Sequence, residues 1–494
     1  MMLRKTLYSL SFLLMMSAGL SAQNSFGTTH TIELPISDFP AIANPNRAAD
    51  HATVAINSNK DIFVAYHTTR SLDGAQYNQA EGVFIDYNSD TNDWKIPDEE
   101  DVYTLGIPEA ASCPTAGYFP YASCDKPDVV AVGDRFLVVW TRFWKHEIDA
   151  DIIAWIEAAW LWKENDKVEY SPSSIEHGRG SIVHSRDYFS VGISRGVPDA
   201  VALEFDENTE FYKGGVVYVE QTTETPPLRF NINFSEIMVT GSINSYSDYG
   251  SVVSDIPFYL SGSQSHEYLT KGYILPDVVK SRSGRLALVH EMCENVSGDP
   301  LYLIRLHILD RGINWLSLDY LEFETNSTYI HRRPNISSDP QETTGDRVSV
   351  AWYNREIDNL LAEKNVDYRH VVVSYDESVS YRVTNLAYPN GQYENNIRPV
   401  PCHRQEDKLK GIFAQVTNPI TLNTNLIATY HPQSSLFSPI PHSPLTLTTA
   451  ERPAIDFYEA QAPEVQNLIP LTCEGYQESH QGIYRLFLRI MAGS

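Results

Sequence analysis

One phrase, written several times along the chain, limits what it can fold into. Its clearest copy is Lys126-Pro127-Asp128-Val129-Val130-Ala131-Val132, a Gly133-Asp134 turn, then Arg135-Phe136-Leu137-Val138-Val139-Trp140. Two apolar, β-branched runs around a Gly-Asp turn predict a tight hairpin of two buried strands. The proline opens the first strand, where its missing N–H costs least. The phrase recurs at Ala52-Thr53-Val54, Pro198-Asp199-Ala200, Pro276-Asp277-Val278, Pro334-Asn335-Ile336, Pro399-Val400 and Pro453-Ala454-Ile455.

The copies are spaced by 54 to 78 residues over a chain of 494. A unit of this kind cannot bury both of its apolar faces alone and must stack on its neighbours. The expected fold is all-β: a seven-bladed β-propeller of four-stranded antiparallel blades. The last unit is one strand short, so a strand over residues 29–36 is expected to complete it and close the ring. The run Ile152-Ile153-Ala154-Trp155-Ile156 favours strand over an amphipathic helix across residues 150–163.

Arg4 and Lys5, an apolar run over residues 7–16 and small residues up to Ala22 read as a secretory signal. The expectation is therefore a signal peptide over residues 1–22 and one propeller domain over 23–494, exported and monomeric. No other stretch is apolar enough to span a membrane. Export permits disulfides, with Cys113–Cys124 and Cys402–Cys473 as candidate pairs and Cys293 left over. A formal net charge of −26 argues against nucleic acid as a partner.

In a propeller, the residues before the first run and after the second converge on the mouth of the central channel. On this acidic chain those places hold His51, Lys126, Arg195, Tyr273, Arg332, Arg333, Arg398 and Arg452. They also hold His67, Arg70, Arg142, Trp144, Lys145, His146, His290, Glu291, Tyr353 and Arg355. Arginine suits planar carboxylate or sulfate, and aromatic rings suit sugar faces. The partner expected is an acidic polysaccharide. Two chemistries fit: β-elimination at a uronic acid, and sialic-acid hydrolysis with an Arg cluster and a Tyr nucleophile. The repeated Asp-box of sialidases has one partial copy, Asp310-Arg311-Gly312-Ile313-Asn314-Trp315. A non-catalytic glycan-binding propeller is the third alternative.

The Pro-Asp-Val-Val and Leu-Val-Val-Trp repeats, with the His/Tyr/Arg-rich mouth, resemble the seven-bladed propeller ulvan lyases of marine bacteria. That resemblance implies a polysaccharide lyase that cleaves next to a uronate and needs no cofactor for the chemistry. It places His146, His184, Tyr188 and Tyr246 among the catalytic residues. Tyr246 or Tyr188 would act as acid, or as both acid and base, and His146 as base or carboxylate neutraliser. Arg142, Arg195 and Arg333, with Lys126 and Trp144, would bind the uronate or sulfate. Separately, His290 and Cys293 with Cys402 and His403 could hold a structural divalent cation, though their spacing matches no zinc pattern.

Overall fold

The computed structural model describes residues 26–34, 50–72, 75–106, 118–119, 124–146, 152–165, 167–171, 181–186, 198–223, 228–241, 243–258, 274–296, 299–323, 328–339, 345–357, 364–376, 378–386, 388, 394–404, 409–417, 424–431, 437–439, 449–455, 468–476 and 484–493. The signal segment, Cys113, Tyr188, Arg195 and Tyr273 lie outside these residues.

The described chain is nearly all β and forms four-stranded antiparallel sheets in sequence order. Sheet A comprises Asp50–Ile56, Ile62–Leu72, Ala75–Ile85 and Val102–Gly106. Sheet B comprises Cys124–Val132, Arg135–His146, Ile152–Glu164 and Lys167–Ser171, with the short strands Tyr118–Phe119 and Ser181–Arg186 added at one end. Sheet C comprises Asp199–Asp206, Phe211–Gln221, Leu228–Thr240 and Ile243–Phe258. Sheet D comprises Asp277–Lys280, Leu286–Val296, Asp299–Asp310 and Leu316–Phe323. C and D meet at one parallel pair, Phe258 opposite Cys293. Sheet E comprises Tyr329–Ser338, Asp346–Glu356, Asn365–Ser374 and Ser380–Asn385, and sheet F comprises Glu394–Arg404, Leu409–Thr417, Thr424–His431 and Phe437–Pro439. Sheet G takes three strands from the C-terminus, Thr449–Ile455, Leu468–Tyr476 and Tyr484–Gly493. Its fourth strand comes from the N-terminus, Phe26–Glu33, which starts three residues earlier than expected. Residues 152–164 are strand, not helix.

The second strands read as unbroken apolar runs because both of their faces are covered. Between A and B, the Phe136 ring stands 5.8 Å from Phe63 and 5.7 Å from Phe84. At the B–C seam, Gly133 of the predicted hairpin turn has φ 62°, and a Cβ there would come within 2.8 Å of Phe205. The turn thus needs glycine for both conformation and space.

The proline signature has a structural counterpart. In sheet A, Asp50 pairs with His67 but Thr53 with Ala65, so the first strand carries one extra residue. The same bulge lies between Asp125 and Asp128, between Arg332 and Asn335, between Ile397 and Val400, and between Glu451 and Ala454. A bulge leaves a residue out of the ladder, which is where a proline is tolerated.

The residue after the proline in sheets B to E, and Thr53 at the equivalent place in sheet A, stitches its sheet to a neighbour. The Asp128 carboxylate accepts the Ala200 N–H at 2.7 Å, Asp199 accepts Val278 N–H at 2.6 Å, and Asp277 accepts Ile336 N–H at 2.8 Å. Asn335 donates to the Pro399 carbonyl at 2.8 Å and Thr53 to the Pro127 carbonyl at 3.4 Å. First strands of consecutive sheets lie against each other, and that of G also lies against that of A.

The partial Asp-box is a lock between D and C. Its Asp310 caps the Gly312 N–H at 2.8 Å, and Trp315, buried, donates its indole N–H to Glu236 of sheet C at 2.9 Å. Cys293 and Cys402 are buried and neither is in a disulfide, which corrects the expected Cys402–Cys473 pair.

Candidate functional site

In every sheet the start of the first strand and the end of the second share one end, called here the mouth end. Aligning the sheets on the residue opposite the stitching position superposes Ala65, Val139, Val217, Val289 and Ala351. Three residues further along the second strand, a polar side chain bonds to the third strand. The pairs are Thr68–Glu81 at 3.2 Å, Arg142–Glu157 at 2.8 Å, Glu220–Asn233 at 2.5 Å and Asn354–Asp367 at 2.6 Å. Arg142 is therefore one version of a recurring internal brace. Its side chain and that of Glu157 are both 0% exposed, so it is not placed to bind a substrate. Parity along the strand put it inside, where the Glu157 carboxylate meets it.

Sheet D departs from this pattern at three successive places. The aromatic place held by Tyr66, Trp140, Tyr218 and Trp352 is His290, the next is Glu291, and the brace position is Met292. His290 and His307 meet at 3.1 Å through their Nε2 atoms. His290 Nδ1 lies 3.1 Å from the Glu291 carbonyl oxygen, which can only accept. Nδ1 thus carries hydrogen, and His307 Nε2–H donates to His290 Nε2. Burial lowers His290 to about 4 and holds His307 well below the usual imidazole value. Burial thus favours the neutral form of both rings. Cys293 and Cys402 lie on different sheets. Among the described residues no group of three or more His, Cys, Asp or Glu is arranged to hold a metal ion.

Glu291 reaches across the seam to sheet E. Its Oε2 accepts from Arg332 Nε at 3.0 Å and from the Arg333 backbone N–H at 2.9 Å. Its Oε1 is buried and has no hydrogen-bond partner among the described residues. Burial raises the Glu291 carboxyl above its ordinary range, against the opposing pull of Arg332 and the Arg333 N–H. Arg333 occupies the bulge before Pro334 with φ 51°. Arg333 is partly exposed, and among the described residues its guanidinium has no ion-pair partner. Tyr353, also partly exposed, stands opposite Arg332 in the ladder, with the Lys364 ammonium 5.8 Å from its ring centre. Glu291, Arg333 and Tyr353 form the candidate site. It offers a cation at Arg333 on the first strand and an aromatic side chain at Tyr353 on the second.

The other expected residues fall elsewhere. Trp144 and His146 lie on the part of Arg135–His146 that runs past the mouth end, opposite Ile153 and Tyr118. His184 is on the same sheet, opposite Ile156. Lys126 is in the bulge of sheet B. Tyr246 does not join them. It sits on the outermost strand of sheet C opposite Ile237, close to the hairpin at Thr240 and Ile243, and is 55% exposed. That hairpin is at the end away from the mouth, because Ile237 aligns through Gly214 with Ala202, beyond Asp199. Tyr353, like Tyr329, is a described tyrosine at the mouth end of sheet E. It was in the sequence list of mouth residues but had no role there.

No family model matches the chain, and no curated protein matches it. Among solved structures it is similar to an α-L-arabinanase of Penicillium chrysogenum at 11% identity and a TM-score of 0.41, covering 95% of this chain and 98% of that one. It is similar to an α-L-arabinofuranosidase of Fusarium graminearum at 11% identity and a TM-score of 0.39, covering 83% and 99%. A sialidase of Trypanosoma rangeli aligns at 9% identity and a TM-score of 0.39, with 95% of this chain covering 58% of the sialidase.

Proposed function

We propose that the chain is an exported carbohydrate-active enzyme that holds an acidic polysaccharide at the mouth end and cleaves it by β-elimination beside a uronate. The fold in this reading is a seven-bladed β-propeller with Phe26–Glu33 closing the ring. The order of the sheets and the pairing of Phe26–Glu33 with Tyr484–Gly493 support that part.

The observation that carries the function is the contrast among the mouth arginines. Arg142 and Arg332 each make a close ion pair with a buried glutamate, whereas Arg333 makes none among the described residues and feels Glu291 only at longer range. On a body of net charge −26, a partly exposed cation that no acid pairs closely among the described residues favours a carboxylated or sulfated sugar. In the reaction, the Arg333 guanidinium takes the uronate carboxylate through paired hydrogen bonds. Neutralising the carboxylate makes the proton on the adjoining carbon removable by a base. The released electron pair forms a carbon–carbon double bond as the glycosidic oxygen leaves with a proton from an acid. Tyr353, His146, His184 and Tyr188 are the proton carriers to examine, with Lys126, Trp144 and Arg195 as further substrate contacts.

Incubation with a panel of plain and sulfated uronate polymers, followed by ultraviolet absorbance of the unsaturated product, tests the reading. Growing absorbance is expected. New reducing ends without absorbance would replace elimination with hydrolysis. Binding without cleavage would leave a glycan-binding propeller.

A further inference from the structure

We infer that Glu291 is a positioning residue for Arg333: by capturing the Arg333 backbone N–H from the neighbouring sheet, it fixes the bulge that leaves the Arg333 guanidinium available to an anion. This rests on the reading of Arg333 as the carboxylate anchor.

The Arg333 backbone does not hold its conformation by itself. At φ 51° an L-residue brings its Cβ against the following carbonyl, which is why glycine usually fills that region. A proline follows, and the residue before proline is restricted toward extended conformations. Such a conformation persists where the surroundings over-determine it. Both peptide groups of Arg333 are held by side chains. Glu291 Oε2 takes the N–H at 2.9 Å, while Asn335 Nδ2 donates to the Arg333 carbonyl at 3.3 Å and is itself fixed on Pro399 of sheet F at 2.8 Å. Arg332 Nε, on the same Glu291 oxygen at 3.0 Å, keeps the carboxylate in place. Three sheets thus clamp one residue. Glu291 is 1% exposed, so it acts through Arg333 and not on the sugar.

The sign of one substitution separates this role from that of a nearby negative charge. A bystander carboxylate repels an anionic ligand, so its removal tightens binding. A positioning carboxylate gives the opposite result, because the anchor is lost with it. Binding of oligoglucuronate and of its sulfated counterpart is measured by titration calorimetry, with thermal melts on each protein. Glu291→Ala is expected to weaken binding by about tenfold or more, since a charge-assisted hydrogen bond is lost. Glu291→Gln, which keeps an acceptor oxygen, is expected to recover most of it. If Glu291→Ala does not fold, Glu291→Asp serves instead: charge is kept, the carboxylate is withdrawn by one methylene, and weaker binding is expected. Parent-like or tighter binding by Glu291→Ala or, in its place, by Glu291→Asp overturns the inference. Parent-like binding by Arg333→Ala, or a parent protein that binds neither probe, overturns the anchor reading itself. Loss in Arg333→Ala with none in the Glu291 variants sinks the inference alone.

Discussion

Arg142 Nε donates to Glu157 Oε1 across 2.8 Å, and neither side chain is accessible to solvent. The same carboxylate takes the Trp140 indole N–H at 3.0 Å on its other oxygen. Removing one partner of a buried pair leaves an uncompensated charge, which costs about 3–5 kcal/mol. Arg142→Met is therefore expected to lower stability by that order in denaturant unfolding. The double variant Arg142→Met/Glu157→Gln should recover part of the loss. A Met variant as stable as the parent would return Arg142 to the list of ligand contacts.

Arg333 should behave in the opposite way. Its guanidinium braces nothing among the described residues, so Arg333→Ala is expected to change the melting temperature little. Loss of a charged contact to a carboxylate is worth about 1.5–3 kcal/mol, or roughly tenfold to a hundredfold in kcat/KM on a uronate polymer. A gain in stability from Arg333→Gly over Arg333→Ala should accompany it, because glycine accepts φ 51° without strain. Equal stability of those two variants would count against strain at the bulge.

The carboxylates of Asp128, Asp199 and Asp277 form an arc in which Asp199 hydrogen-bonds to both neighbours. Burial raises Asp128 to about 6, burial with repulsion from Asp128 raises Asp277 to about 7, and burial with repulsion from both neighbours holds Asp199 well above the ordinary carboxylate value. Between about pH 4 and 7 the folded protein keeps protons that the unfolded chain has released. By linkage, this group's contribution to stability falls as pH rises through that window. His290 and His307 slope the other way below about 6.5, so the parent curve mixes the two. The difference between Asp199→Asn and the parent isolates the arc. Asparagine already fills the equivalent place at Asn335. The variant is expected to gain on the order of 2 kcal/mol over the parent between pH 5 and 8. Parallel stability curves across that range would contradict it.

Trp315→Phe tests the lock between sheets C and D. It keeps most of the buried ring and leaves Glu236 Oε1 without its closest donor, at a cost of about 1–3 kcal/mol. Asp310→Ala should be milder, because it uncaps only a short turn and frees Arg285 at a partly exposed pair. A larger loss from Asp310→Ala than from Trp315→Phe would show that the turn, not the indole contact, holds the sheets together.

The strands and the N-terminal strand's partner were legible because apolar runs between turn residues carry their own period. The bulge was half legible: proline marked the place, while the extra residue showed only in the ladder. The fate of each arginine was not legible. Spacing along a strand gives parity, but not whether a glutamate on the next strand waits there, as Glu157 does for Arg142. Tyr246 was misplaced because sheet C has an unusually long outer strand, and a tyrosine in a polar run gives no sign of which end it is near. The departure at His290-Glu291-Met292 could have been found by aligning the copies on their prolines. It stands out only when the braces Thr68–Glu81, Glu220–Asn233 and Asn354–Asp367 are set beside it.

The stitching residues change character along the chain, from hydroxyl at Thr53 to carboxylate at Asp128, Asp199 and Asp277, then to amide at Asn335. Negative charge is thus gathered on three consecutive neighbours and stops one step before Arg333. In the proposed propeller, acidic side chains thus lie on one flank of the first strands and a cation lies where they end. A polyanion bound as proposed would be oriented along that line by the difference in charge at its two ends.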